Sequence, residues 1–125
     1  VLPLNSKQRG MSAQERVEQV FEEKGVSRGG ERYLRISDAR DLLADLVDAG
    51  RAVVGIEGVD LTEGETRPLP EAIADFSNRP DISWRAYVRQ CAAQAKEFLG
   101  ALPDRETVYV TLTTFSRDEW RRYGD

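Results

Sequence analysis

Residues 51–76, RAVVGIEGVDLTEGETRPLPEAIADF, decide how the chain is read. Val53, Val54 and Ile56 make the first half the best strand in the sequence and place it centrally in a sheet. Gly55 and Gly58 thin that strand, a pattern that marks a bulge or a close approach by another segment. From Thr62 onward, Gly64, Pro68 and Pro70 break the pattern, and the stretch reads as a long acidic loop. Structureless loops of that length are uncommon in compact folds. PEAIADF, residues 70–76, accordingly reads as one helical turn, with Pro70 at its first position and Leu69, Ile73 and Phe76 facing inward.

Outward from this stretch, helices and strands alternate. Ser12 and Glu15 form a capping box that opens a helix over 12–24, where Val17, Val20 and Phe21 give only a thin apolar stripe. Such a helix belongs on the outside of a fold. Gly29 and Gly30 punctuate, and Tyr33, Leu34 and Ile36 suggest a short strand. Ser37 is expected to cap a helix over 38–49, with Ala39, Leu42, Leu43, Leu46 and Val47 at helical spacing and Gly50 as its stop. The strongest helix runs over 84–102, from Trp84, Tyr87, Val88 and Cys91 to Leu99 and Leu102, and Pro103 ends it. In ETVYVTLTTFS, residues 106–116, Val108, Val110 and Leu112 face one way and Tyr109, Thr111 and Thr113 the other. A second capping box, Ser116 with Glu119, opens a short last helix. The order predicts an α+β or small α/β fold, with one sheet of about three or four strands packed by helices. The helix over 38–49 fits a right-handed return between parallel strands, the half-polar last strand fits better in a mixed or antiparallel sheet, and a mixed strand order is expected.

A chain of 125 residues suits one globular domain over 11–125. Residues 1–10 read as a disordered extension ahead of an expected native start at Met11. No apolar run is long enough to span a membrane, and no charged start followed by an apolar stretch suggests a leader. Cys91 is the single cysteine, so no internal disulfide can form and a cytoplasmic location is expected. Histidine is absent, which removes the commonest general base and metal ligand. A net charge of −4 argues against nucleic acid as a partner. Neither GIEGVD, residues 55–60, nor RGGER, residues 28–32, matches a phosphate loop, and no cofactor or metal is expected.

Two acidic features are candidate sites. In SDARDLLADLVDAG, residues 37–50, Asp38, Asp41, Asp45 and Asp48 fall within about 80° of one another on a helix. They form either a solvated edge balanced by Arg40 or another arginine, or a surface for a cationic partner. A calcium site would need ligands converging from a turn. The second feature is Glu57, Asp60, Glu63, Glu65 and Asp75, set against Arg67 alone, which suits a recognition loop. Trp120 and Tyr123 read as interface anchors or as a lid on the core. Cys91, in an apolar stripe, reads as a buried inert thiol.

AVVGIEGVDL (52–61) followed by LPEAIADFS (69–77) resembles small bacterial proteins of the immunity type, which neutralise secreted toxins inside the producing cell. The resemblance spans residues 51–77. It implies a stoichiometric inhibitor that covers a toxin's working surface, and it implies no catalytic residue. Against a basic toxin, acidic residues would stand in for a polyanionic substrate. The resulting expectation is a non-enzymatic binding protein contacting its partner through both acidic features, with Trp120 or Tyr123 as anchors. Two alternatives stand beside it. One is a structural or regulatory homodimer joined through an exposed strand or the last helix. The other is a carboxylate-based hydrolase working through Glu57, Asp60 or Asp75.

Overall fold

The computed structural model describes residues 10–78 and 80–122. Its elements in order are α1 (Ala13–Lys24), β1 (Val26–Arg28), β2 (Glu31–Arg35), α2 (Ile36–Asp48), β3 (Ala52–Thr62), β4 (Glu65–Asp75), α3 (Trp84–Ala101), β5 (Val108–Phe115) and α4 (Arg117–Arg122). The strands form one sheet in the order β1-β2-β5-β3-β4, and every neighbouring pair is antiparallel. The fold is therefore α+β, with five strands and no parallel pair among the described residues, where three or four strands in mixed order are expected from sequence. β2 and β3, joined by α2, do run the same way, but β5 lies between them. β4 and β5, joined by α3, likewise have β3 between them. The chain thus makes two interleaved split βαβ units.

The extra strand is the segment that reads as a loop. Gly64, at φ 79°, turns the chain so that Glu65 lies opposite Thr62, and residues 65–75 then run back along β3. Pro68 and Pro70 do not forbid this, because β4 is an edge strand and proline is tolerated there. No helical turn forms at 70–76. Instead Ile73 opposes Glu57 and Pro68 opposes Val59, so Leu69, Pro70, Glu71 and Ala72 bulge out against Gly58 alone. The bulge carries Ala72 over the glycine, where a Cβ on residue 58 would lie 2.4 Å from that of Ala72. Leu69 and Phe76 pack on the core as expected, but Ile73 points outward and is 54% exposed.

All three long helices cover one face of the sheet. The main core joins Val17 of α1, Ala39, Leu42, Leu43 and Leu46 of α2, and Ala95 and Leu99 of α3 to Leu34, Val53, Ile56, Val108 and Val110 of the sheet. Fully burying such side chains is worth about 1.5–3 kcal/mol each. A register shift between Val53 and Gly55 lets both Val53 and Val54 face the helices. α1 buries only Val17, in keeping with its thin stripe. α2 starts earlier than its expected Ser37 cap: Arg35 holds the cap position without a side-chain bond, so Ser37 lies in the first turn. α2 ends as expected. Gly50, at φ 70°, donates its N–H to Val47, and Arg51 donates to Leu46, a Schellman ending.

A second cluster closes the sheet end nearest Phe115. Tyr87 is fully buried, and its hydroxyl donates to the Phe76 carbonyl at 3.1 Å. Burial pushes that hydroxyl well above its ordinary range, and burial likewise raises the neighbouring Cys91 thiol. The second capping box sets α4, placing Trp120 against Trp84 and Tyr87 at ring distances of 5.4 and 5.1 Å. No helix among the described residues is long and apolar enough to cross a membrane.

Gly58→Ala is expected to lower stability by about 1–3 kcal/mol through overpacking against Ala72. In urea melts the midpoint should fall at unchanged slope, and adding Ala72→Gly should recover part of the loss. An unchanged midpoint for the single variant would rule out the close contact. A second expectation concerns α4. The Ser116 backbone N–H, and then its hydroxyl, hold the Glu119 carboxyl below its ordinary value of 4.5. A depressed carboxyl contributes stability above its unfolded pKa and loses it as pH falls through the folded value. Tryptophan fluorescence should therefore report α4 loosening as pH drops below 4.5. Glu119→Gln, which keeps an acceptor without the charge, should flatten that response.

Candidate binding face

Alternation along β3 assigns the two sides of the sheet. Gly58 and Asp60 pair with Val110 and Val108 on the helix side, so Glu57, Val59 and Leu61 turn to the other side with Tyr109 and Thr111. The upper part of this second side is covered. Gly29 and Gly30, at φ 58° and 82°, make the tight turn that a two-residue hairpin needs. The β1–β2 hairpin then packs Val26 and Tyr33 on Val59, Leu61 and Tyr109. Arg28 ties it down by donating to the carbonyls of Thr62 at 2.8 Å and Glu65 at 2.9 Å. Sequence reading found only one strand here. The Gly-Gly pair is the signal that points to its three-residue partner.

The lower part stays open. Glu57, Thr113 and Asp75 are exposed around Ile73. Glu31 reaches in from β2, accepting from the Thr111 hydroxyl at 3.5 Å. Tyr33 borders the patch, and its hydroxyl is pushed up first by burial and then by the charges of Glu31 and Glu57. Asp75 accepts from the hydroxyl and backbone N–H of Ser77, which hold its carboxyl below the usual range. The basic group at its border, Arg35, is already engaged: it lies over Tyr109, donates to the Glu106 carbonyl and pairs with Asp104 at 3.4 Å. The uncovered area is therefore acidic, with one large apolar side chain in it.

The remaining candidates are scattered. Asp60 lies on the helix side of β3, half-buried, and its Oδ1 has no hydrogen-bond partner among the described residues. It is thus on the opposite face of the strand from Glu57. Glu63 sits on the exposed turn and Glu65 beside it. The aspartate row faces α1. Arg16 pairs with Asp45 at 2.9 Å and reaches Asp48 at 4.0 Å, while Lys24 pairs with Asp38 at 3.4 Å. Of the four, only Asp41 has no ion pair among the described residues. Arg40 is not the neutralising group, and its guanidinium lies near Gly100. Trp120 packs into the core as a lid, and Tyr123 lies outside the described residues. No group of three or more His, Cys, Asp or Glu among the described residues is placed to hold a metal ion.

Sequence reading missed Glu31, Ile73, Thr111 and Thr113 as members of the open face. The alternation of β5 marked the two threonines as outward, but only the register shows what stands beside them. Comparison of the chain with family models, with curated proteins and with solved structures yields no match.

Proposed function

We propose that this protein is a non-enzymatic binding protein of the immunity type, which neutralises a basic toxin by covering it with the open half of the sheet. The observation that supports this most directly is the grouping of Glu31, Glu57 and Asp75 with an outward isoleucine on the uncovered half of the sheet face. An apolar anchor ringed by one sign of charge is the composition of a recognition surface, since burial supplies affinity and complementary charge speeds and selects encounter. Glu63 at the hairpin turn extends the acidic surface. The row on α2 contributes less, because three of its four aspartates fasten α1.

The geometry favours this reading over its two rivals. A homodimer built on β4 would need a regular free edge, whereas Pro68, Pro70 and the bulge interrupt that edge. A hydrolase would need carboxylates converging in a cleft, whereas Glu57 and Asp60 point to opposite sides of β3, and Glu57 and Asp75, which share the open face, stand exposed around Ile73.

The neighbouring gene is expected to encode a large secreted protein with a variable C-terminal domain. That domain should bind this chain one to one, with affinity falling as salt rises. Glu57→Lys and Ile73→Asp should each weaken binding about tenfold or more, and Asp41→Asn should leave it nearly unchanged. Binding that survives both sheet-face substitutions would place the interface elsewhere.

A further inference from the structure

We infer that the cleft between the end of α2 and the start of α3 binds a small zwitterion of the α-amino-acid class. The cleft measures about 310 Å³, close to the lower end of small-molecule sites. Val47 and Val88 line it, with Trp84 at its side. Trp84 is held by Tyr87 and Trp120, at ring distances of 5.9 and 5.4 Å, so this wall is preorganised.

Its polar lining carries opposite charges. Asp48, in the last turn of α2, stands at the negative pole of that helix. Arg85 and Arg89, one turn apart in the first two turns of α3, stand toward its positive pole. Among the described residues Asp48 makes no ion pair with either arginine, and its nearest cation is Arg16 at 4.0 Å. The two helices therefore hold the charges apart across a gap. A simple anion in the gap would meet Asp48 and the end of α2, and a simple cation would meet two arginines. A ligand with an ammonium at one end, a carboxylate at the other and an apolar side chain between them satisfies every wall. The cleft is separate from the open sheet face, and the inference does not depend on how that face is used.

The test is an amide-resolved NMR titration with L-leucine, L-leucinamide and N-acetyl-L-leucine, supported by Trp84 fluorescence. L-leucine should give saturable shifts at Asp48, Trp84, Arg85 and Arg89. The two analogues, each lacking one charge, should bind about ten- to a hundredfold more weakly. Arg85→Ala/Arg89→Ala should erase the preference for leucine over its amide, and Asp48→Asn should erase the preference over the N-acetyl form. These side chains are exposed, so both variants should stay folded, which circular dichroism checks. Absence of saturable shifts up to the solubility of leucine would overturn the assignment, as would equal binding of all three probes.

Discussion

Both crossover helices lie across the same face of the sheet, and the rest of the arrangement follows from that constraint. In two interleaved split units, α2 and α3 must share one surface, so they pack against each other as well as on the strands, and α1 is added beside α2. Among the described residues the other surface receives no helix. An antiparallel sheet tolerates one wet face, since side chains alternate between core and solvent. Here the wet face is half withdrawn from solvent. The β1–β2 hairpin closes over Val59, Leu61 and Tyr109, and Arg28 bolts it to the turn of the neighbouring hairpin. What remains uncovered is a patch of threonines, carboxylates and Ile73.

The contact between Ala72 and Gly58 decides how that patch is bounded. Four residues of β4 stand against one of β3, and only a glycine lets the bulge sink in far enough to bury Ala72. The bulge turns Leu69 toward the core and leaves Ile73 on the outer surface. It also interrupts the sheet edge. Bulges, prolines and charges are the usual means of keeping an edge from recruiting another strand. Recognition by the flat of the sheet is therefore more compatible with this fold than recognition by its rim.

Periodicity made most of the elements legible in sequence. The apolar repeats of α2 and α3 and the alternation of β5 stand out because each reflects one buried face. Both capping boxes were legible because reciprocal side-chain bonds need two residue types at fixed spacing. β4 was not legible, since its prolines mimic a loop and the bulge destroys the two-residue period. β1 is too short to carry a pattern at all. At the site, Glu57 and Asp75 could be named from composition, but Glu31 could not, because only the register of distant strands brings it to Thr111. The aspartate row shows the limit most clearly. Its spacing identified one helix face but not the neighbour of that face, and Arg16 lies 29 residues from Asp45 in sequence.

Charge compensation is distributed unevenly between the α1–α2 contact and the open face of the sheet. Asp45 and Asp48 sit toward the negative end of α2, where a carboxylate is disfavoured, and Arg16 offsets this while anchoring α1. Arg28 donates to backbone carbonyls, and Arg35 donates to the Glu106 carbonyl and pairs with Asp104, so both hold hairpins and loops in place. Burial first, and then the charges of Glu31 and Glu57, push up the Tyr33 hydroxyl beside them. In water that repulsion costs little, on the order of 1 kcal/mol at contact distance. It would be repaid when a cationic surface displaces the water, and the exposed isoleucine would then gain its burial as well. Folding explains neither feature on its own, and under the proposed function a partner of opposite charge would satisfy both.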